Sequence, residues 1–210
     1  MSYLALYRKF RPQTFDEIVG QDFVVTTLKN QIKSGNISHA YLFTGTRGTG
    51  KTTAAKVFSR AINCLNPVDG NPCMKCRSCL DNGGMDIVEL DAASNNGVDE
   101  IRDLRERVKY PPVNGRYKIY IIDEVHMLSM QAFNALLKII EEPPAHLLFI
   151  LATTELHKVP ATILSRCQRF SFRRLMQEDI ASRINYVAYQ EHIEIEPDAV
   201  QLLARLADGA

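Results

Sequence analysis

Short, uninterrupted apolar segments alternate along this chain with longer segments in which apolar residues recur every three or four positions. The uninterrupted segments predict strands buried on both faces, at residues 41–43, 119–122 and 147–152. Two further strands, at residues 87–90 and 169–172, are predicted although each contains polar residues. The periodic segments predict amphipathic helices, at residues 22–34, 52–63, 98–109 and 131–141. Their alternation predicts an α/β domain whose five-stranded parallel sheet is flanked by helices.

The pattern changes after residue 174, where only helices are predicted. One helix spans residues 177–190, and Pro197 begins another at the first helical position, which proline favours. Two amphipathic helices are too few to close a hydrophobic core. We therefore expect residues 1–174 to form the α/β domain and residues 175–210 to begin a small, all-helical lid domain that is incomplete at residue 210.

Local signals predict where several helices begin and end. Thr14 and Glu17 have the spacing of a capping box, which predicts a short helix that ends at Gly20. Gly35 is expected to end the helix of residues 22–34, because glycine adopts the left-handed conformation that closes many helices. Pro143 is expected to limit the helix of residues 131–141.

The composition is that of a water-soluble globular protein, with 46% hydrophobic residues, 23% charged residues and a formal net charge of +1. No apolar segment approaches the length needed to cross a bilayer, and the first four residues lack the apolar region of a signal peptide. We therefore expect a cytoplasmic protein with no membrane partner. No long basic tract is present in the sequence, so charge alone does not predict nucleic-acid binding.

A glycine-rich segment between a predicted strand and a predicted helix matches the phosphate-loop pattern G-x-x-x-x-G-K-[ST] at every fixed position. Such a loop directs backbone N–H groups at a triphosphate, and the following helix N-terminus adds positive potential. Lys51 is expected to reach the β- and γ-phosphates, and Thr52 is expected to bind Mg²⁺. The candidate nucleotide-binding residues of this segment are Gly45, Thr46, Arg47, Gly48, Thr49, Gly50, Lys51, Thr52 and Thr53.

Two carboxylates directly follow the apolar strand of residues 119–122. Asp123 is expected to complete the Mg²⁺ shell with Thr52, and Glu124 is placed to polarise an attacking water. A glycine-rich turn or an Asp-Glu pair is often only structural when it occurs alone. Both motifs in one chain, in this order, predict a Mg²⁺-dependent nucleoside triphosphatase.

Four of the five cysteines lie close together in the sequence, at Cys64, Cys73, Cys76 and Cys79. The C-x₂-C-x₂-C segment, with Cys64 as a fourth ligand, can form a closed tetrahedral thiolate site. The expected cytoplasmic location disfavours disulfides, and a ferredoxin-type cluster usually has a further cysteine and a proline soon after the third cysteine. We predict structural zinc, in a module of residues 64–79 inserted after the phosphate-loop helix. Cys167 is expected to be a buried, unreactive thiol.

Further motifs accompany the phosphate loop, the carboxylates and the cysteines through nearly the whole chain. They occupy residues 7–12, 19–21, 39–43, 91–94, 123–128, 133–138, 141–144, 151–154 and 165–167. Together these segments resemble the N-terminal part of the tau/gamma subunits of bacterial DNA polymerase III, which are clamp-loader ATPases of the AAA+ class. The cysteine insertion separates these subunits from most other AAA+ proteins.

The resemblance implies roles for residues that spacing alone does not assign. The residues that would line the adenine and ribose pocket lie between residues 7 and 20, and include Tyr7, Arg11, Pro12, Val19 and Gly20. Thr154, or its neighbour Thr153, would be sensor 1, and Arg166 would be an arginine finger inserted into the neighbouring subunit's site. Arg105 and Lys138 are candidates for contacting DNA, and the alternative for Arg105 is a solvated helix face that it forms with Arg102, Arg107 and Lys109.

The implied function is that of an ATP-hydrolysing motor that loads a sliding clamp onto primed DNA during DNA replication. The implied partners are other clamp-loader subunits in a pentameric ring, the sliding clamp and primer–template DNA. In a long form, absent C-terminal regions would also bind the polymerase core and the helicase. The implied location is the cytoplasmic, nucleoid-associated replisome. The holoenzyme is a DNA-directed DNA polymerase, a transferase, but this chain carries no visible polymerase site, and it ends before the family's sensor 2 arginine.

Two other functions compete with this interpretation. The segment of residues 123–126 resembles the D-E-x-H box of a class of helicases, which would need a second RecA-like domain that the residues after 174 do not supply. A zinc-dependent binding module with a weak nucleotide site is the other alternative. The intact Lys51, Thr52, Asp123 and Glu124 argue against a degenerate nucleotide site.

Overall fold

The computed structural model describes residues 5–81 and 84–210, so residues 1–4 of the predicted domain lie outside it. A five-stranded parallel sheet with the order β2-β3-β4-β1-β5 lies at its centre, which confirms the predicted architecture. The strands are β1 (Ala40–Thr44), β2 (Ile87–Asp91), β3 (Lys118–Asp123), β4 (Leu147–Thr153) and β5 (Gln168–Ser171). Every residue of β1 and β4 is buried, as their uninterrupted apolar sequences require.

Helices cover both faces of this sheet. The α-helices of the described residues are α1 (Leu6–Lys9), α2 (Asp22–Ser34), α3 (Lys51–Ile62), α4 (Arg77–Leu80), α5 (Val98–Arg107), α6 (Met130–Glu141), α7 (Ala161–Leu164), α8 (Gln177–Gln190) and α9 (Pro197–Leu206). Tyr41 and Phe43 belong to the same core as Phe58 of α3, whereas Leu42 belongs to the core that contains Leu136 of α6. Alternate residues of β1 thus face opposite layers, as the pleat of a strand demands.

The long helices begin and end close to where the sequence predicts. The bounds of α2 and α8 agree with the prediction, and Gly35 ends α2 in the left-handed conformation, with φ of 72°. The four-residue helices α1, α4 and α7 were not predicted, because one turn is too short to show a helical period.

The predicted capping-box helix is wrong in extent and in its hydrogen bonds. Only Phe15–Glu17 forms a turn of 3₁₀ helix, and Ile18 is already extended. The Thr14 hydroxyl donates to the Glu17 carboxylate at 3.1 Å and accepts no capping bond from the backbone. The free N–H of Phe15 donates instead to the distant Asn71 side chain at 2.8 Å, so a tertiary contact takes the place of the local cap.

The helices α8 and α9 pack against each other around a small cluster of their own, which contains Ile180, Ala181, Val200 and Ala204. The Leu175 N–H donates to the carbonyl of Gly209 at 3.0 Å, and this hydrogen bond joins the segment before α8 to the segment after α9. The division into two domains at residue 174 stays a prediction. Within the described residues, no helix is both long enough and apolar enough to cross a membrane.

Candidate nucleotide and metal sites

The register of the parallel strands brings the ends of four strands to one edge of the sheet. Thr44 of β1 lies opposite Thr153 of β4, and Asp91 of β2 lies opposite Asp123 of β3. The phosphate loop leaves β1 at this edge and enters α3 at Lys51. The edge is therefore where the two predicted chemical motifs meet.

Three glycines give the phosphate loop its shape. Gly45, Gly48 and Gly50 have φ angles of 150°, 81° and 96°, in the region that side chains strongly disfavour. A Cβ atom at Gly45 would also overlap the backbone of Phe172. The glycine spacing of the motif is thus a requirement of the backbone path itself.

The Lys51 side chain is held inside this loop. Its Nζ donates to the carbonyl oxygens of Gly45 at 2.9 Å and Thr46 at 2.8 Å, and the residue is only 6% exposed. Burial lowers the pKa of the Lys51 ammonium, and the Glu124 and Asp123 carboxylates oppose that shift. The residue is a cation placed beside the loop and close to both carboxylates.

The two predicted magnesium ligands are in direct contact. The Thr52 hydroxyl donates to Asp123 Oδ2 at 2.6 Å, and Asp123 Oδ1 accepts from the Glu124 N–H at 2.9 Å. Hydroxyl and carboxylate oxygens are the hard ligands that Mg²⁺ prefers, so these side chains fit that ion.

Glu124 has an unusual backbone and a well-defined carboxylate. Its φ of 48° is left-handed, a conformation that costs free energy for a residue with a side chain. Its Oε2 accepts from the Thr154 hydroxyl at 3.0 Å and from the Thr154 N–H at 3.3 Å. Of the two adjacent threonines considered for sensor 1, Thr154 is the one that hydrogen-bonds Glu124, whereas Thr153 is fully buried.

His126 belongs to the same network, and sequence reasoning gave it only a likeness to a helicase box. Its Nδ1 lies 3.0 Å from Thr153 Oγ1 and 3.4 Å from Glu124 Oε2, while Nε2 lies 3.2 Å from Glu155 Oε1. The imidazole therefore connects the end of β4 to the segment that follows β3. Its position two residues after Glu124 was the available signal.

A cavity of about 690 Å³ opens beside these groups, within the size range of nucleotide-sized ligand sites. Residues Arg47, Gly48, Gly50, Lys51, Thr52, Thr53, Asp123 and Glu124 line it, together with the predicted Arg11. Glu89, Leu90 and Asp91 of β2 also line it, and nothing in their sequence indicated this position.

A second cavity, of about 280 Å³, lies on the other side of the phosphate loop. The predicted residues Pro12, Val19, Gly48, Thr49, Gly50 and Thr53 contribute to its walls. The unpredicted part of its lining comes from Glu17, Ile18, Leu175, Asp179, Ile180, Arg183, Ile184 and Ala210. The helix α8 therefore closes a wall that no local motif predicts.

Two of the residues expected near the adenine line neither cavity, although Gly20 lies against Leu175 and Asp179, which line the second one. Tyr7 is 65% exposed and lines neither cavity. Gly20 also lines neither, and its carbonyl accepts from Arg173 Nε at 2.7 Å.

Next to Gly20, the buried Gln21 amide donates to the carbonyls of Thr49 at 3.2 Å and Arg173 at 2.8 Å. Gln21 thus joins the phosphate loop to the segment that precedes α8.

Arg166 lies away from both cavities. It precedes β5, whose Gln168 pairs with Tyr41 near the start of β1, so Arg166 is at the sheet edge opposite to the phosphate loop. Its guanidinium pairs with Glu141 at 2.8 Å and donates to the Thr162 carbonyl at 2.8 Å. Arg166 therefore lines neither cavity of this chain.

The two residues proposed to contact DNA lie together. Arg105 of α5 and Lys138 of α6 line one open cavity of about 550 Å³. Arg102, Gln131 and Asn134 share its lining. The combination of cations and amides suits a phosphate backbone, although α5 also presents the acidic partners of ordinary surface ion pairs.

The four clustered cysteines converge, with all four Sγ atoms within 4.8 Å of one another. The Sγ atoms of Cys64 and Cys76 are 3.9 Å apart, and those of Cys73 and Cys79 are 4.0 Å apart. Four thiolates at about 2.3 Å from one zinc ion would be separated by about 3.8 Å, so the residues fit that ion. The same separations exceed the S–S bond of a disulfide, and all five cysteines are free.

Backbone groups prepare this site for thiolates. The N–H groups of Lys75 and Cys76 lower the pKa of the Cys73 thiol to about 6. Burial raises the pKa of the Cys79 thiol, which would ionise only with a bound cation to offset the cost. Cys167, by contrast, packs against the core, where burial raises the pKa of its thiol to about 12, as expected for an inert residue.

Comparisons with known proteins agree with this architecture. A solved RuvB Holliday junction branch migration motor from Thermotoga maritima superposes with a TM-score of 0.67 at 20% identity, over 93% of this chain and 59% of that one. A DNA polymerase III gamma subunit-related protein from the same organism gives a TM-score of 0.51 at 22% identity, over 78% and 51%. At these identities the likeness concerns the fold alone.

Sequence comparisons are more specific. The family model described as DNA polymerase III, delta subunit matches residues 20–176. DNA polymerase III subunit tau of Bacillus subtilis is 56% identical over all of this chain, and that of Escherichia coli is 50% identical. The chain covers 38% and 33% of those two relatives, and 58% of the gamma subunit of Buchnera aphidicola, which is 44% identical. The chain belongs to the tau/gamma family of DNA polymerase III subunits.

Proposed function

We propose that the chain is the ATP-binding and ATP-hydrolysing part of a clamp-loader motor subunit, which acts in the DNA polymerase III holoenzyme to load a sliding clamp onto primed DNA. The observation that carries this proposal is the junction of two motifs at one sheet edge. Thr52 contacts Asp123 at 2.6 Å, and Glu124 is held by Thr154 beside the buried Lys51.

Each of these residues has a defined task in ATP hydrolysis. The loop N–H groups and Lys51 bind the phosphates, and Thr52 and Asp123 hold Mg²⁺, which when bound neutralises charge on the phosphate oxygens. Glu124 accepts a hydrogen bond from the attacking water. Thr154 competes with that water for Glu124 Oε2, so Thr154 controls when the carboxylate is available.

Arg166 completes the site of a neighbouring subunit in a pentameric ring. Its location at the opposite sheet edge, exposed and paired with Glu141, supports a role on a surface that a neighbour contacts. A cation supplied from outside makes hydrolysis depend on assembly, because the charge that develops on the γ-phosphate is otherwise incompletely stabilised.

Arg105 and Lys138 are the proposed contacts to primer–template DNA, supported by their common cavity. The cysteine module has no open coordination position for a substrate, so its zinc is structural. The replisome in the bacterial cytoplasm is the proposed location. The helicase alternative loses its sequence support, because Thr153 and Glu155 account for His126 within this fold.

The function is tested by ATP turnover of the full-length protein, assembled with its partner subunits. We expect the sliding clamp and primed DNA together to accelerate turnover. Turnover that responds to neither would contradict a clamp loader while leaving an ATPase in place.

Metal analysis of anaerobically purified protein tests the cysteine module. We expect about one zinc ion per chain, held by the four thiolates. If the protein instead contained iron and showed visible charge-transfer absorption, the four cysteines would hold an iron–sulfur cluster and not zinc.

A further inference from the structure

The cysteine loop, residues 64–79, directly contacts the N-terminal segment that walls the smaller cavity. Asn71 of this loop is buried, and its side chain makes two hydrogen bonds to that segment. Its Oδ1 accepts from the Phe15 N–H at 2.8 Å, and its Nδ2 donates to Asp16 Oδ2 at 2.8 Å. Asn71 therefore occupies the place of the cap that the 3₁₀ turn of Phe15–Glu17 lacks locally.

The turn held by Asn71 is continuous with the cavity wall. Pro12 lies before it, and Glu17, Ile18 and Val19 end or follow it, and all four line the cavity. Phe15 anchors the middle of the turn, since it is only 1% exposed and packs against Phe58 of the phosphate-loop helix. A shift of the turn would move both sides of this wall.

The position of Asn71 depends in turn on the thiolate site. Asn71 pairs with Val68 across a tight turn, and Cys73, two residues later, donates its N–H to Cys64 Sγ at 3.2 Å. Gly70 lies so close to Lys29 of α2 that a Cβ atom there would come within 2.9 Å of its backbone. Asp69 also pairs with Lys29 and Lys33, so α2 holds one side of the turn and the thiolate site the other. Without a metal to join the four thiolates, the loop loses one of the two restraints on Asn71.

A second contact runs parallel to the first. Arg60 of α3 donates to Gln13 Oε1 at 2.7 Å, and the same nitrogen lies 3.7 Å from the sulfur of Met74, between two of the thiolates in sequence. The cysteine loop, the phosphate-loop helix and the segment that forms the cavity wall are thus in mutual contact.

From these contacts we infer that the metal-loaded cysteine loop, through Asn71, positions the wall of the nucleotide cavity and so raises nucleotide affinity. The inference rests on the nucleotide binding proposed above. Two sites linked in this way share one coupling free energy, so each ligand strengthens the binding of the other by the same factor.

The first experiment compares two identical substitutions in the same loop. Asn71→Leu removes both hydrogen bonds to the turn, whereas Asn66→Leu changes an exposed asparagine. We expect Asn71→Leu to bind ADP at least about fivefold more weakly in calorimetry, the lower end of ordinary coupling between sites. The Phe15 amide should also exchange faster with deuterium. Unchanged affinity for ADP in a folded, zinc-containing Asn71→Leu chain, or an equal loss in Asn66→Leu, would overturn the inference.

The second experiment needs no substitution in the loop. The unaltered protein is titrated with a zinc chelator, with and without saturating ADP, and bound zinc is measured at equilibrium. Reciprocity requires ADP to raise the chelator concentration for half-removal by the same factor, at least about fivefold. Lys51→Ala protein, which is expected to bind ADP roughly 10- to 150-fold more weakly, corrects for any zinc bound by ADP itself, at an ADP concentration that saturates the unaltered protein alone.

The outcomes separate this inference from the function it rests on. A protein that binds ADP but whose chelator midpoint does not move overturns the inference and leaves the proposed ATPase intact. A protein that binds no ADP overturns both together.

Discussion

The two cavities of the proposed nucleotide site, which we assign to the phosphates and to the base as its phosphate half and base half, are built in different ways. The phosphate half consists of one continuous loop and the end of β3, which is separated from β1 by β4, and the hydrogen bond from Thr52 to Asp123 joins the two. The base half is assembled from the segment around Pro12 and Val19 and from α8, about 160 residues later in the 210-residue chain. The phosphate half therefore depends mainly on the backbone conformation of one loop, whereas the base half depends on the packing of segments that are distant in the sequence.

The difference predicts where each half is sensitive. Backbone N–H groups and a buried ammonium bind any triphosphate, so the phosphate half determines affinity and chemistry. The walls of the second cavity come from separate segments, whose placement depends under this proposal on α8, on the Gln21 hydrogen bonds and on the cysteine loop, so the base half determines selectivity and coupling. Substitutions that separate the two halves test this division.

The largest effect is expected from Arg166→Ala, which asks whether the phosphate half is complete within one chain. An arginine finger accelerates phosphoryl transfer by roughly 10³–10⁵, so clamp- and DNA-stimulated turnover should fall by about that factor while ATP binding stays nearly normal. Loss of the exposed Glu141 pair should change stability little. Arg169→Ala, at a nearby exposed arginine, is the control.

Rings assembled from two different variant subunits test whether Arg166 acts on the nucleotide site of a neighbouring subunit. In rings that contain both Arg166→Ala and Lys51→Ala subunits, a Lys51→Ala neighbour still donates its Arg166 to an intact phosphate loop. Partial recovery of turnover is therefore expected. If the mixed rings form and remain inactive, the trans mechanism is wrong.

Glu124→Gln should separate chemistry from binding inside the phosphate half. The amide keeps the shape and can still accept from Thr154, but it is a poor base, so turnover should fall by about 10²–10⁴. ATP affinity, measured by calorimetry, should stay within a few-fold. A parallel loss of affinity would mean that Glu124 binds the ground state.

The same division explains what the sequence could predict. The motif spacing fixed the partners Thr52 and Asp123, because strands of a parallel sheet end at a common edge. The turn at Phe15–Glu17 was mispredicted because its cap, Asn71, lies 56 residues away. The contribution of α8 was missed for a similar reason, since amphipathic periodicity identifies a buried stripe but not the cavity that the helix borders.

The Lys51→Ala substitution should weaken the binding of both ATP and inorganic triphosphate. A charge-assisted hydrogen bond to a phosphate is worth about 1.5–3 kcal/mol, so each affinity should fall by roughly 10- to 150-fold. Lys56→Ala, on the same helix but paired with Glu89, is the control and should bind both ligands as the parent does. Parent-like binding by Lys51→Ala would exclude this loop as the phosphate site.

The smallest effect, from Val19→Ala, tests the division most directly. Val19 lines only the base half, so the loss of two methyl groups from its wall should cost about 1 kcal/mol, or about fivefold in ATP affinity. Inorganic triphosphate, which has no base, should bind unchanged, in contrast to its behaviour with Lys51→Ala. Val113→Ala, at a valine that is 63% exposed, is the matched control for a lost valine side chain. If Val19→Ala weakens the binding of inorganic triphosphate as much as that of ATP, the wall at Val19 affects the phosphate loop itself. The two halves would then not bind their parts of the nucleotide independently.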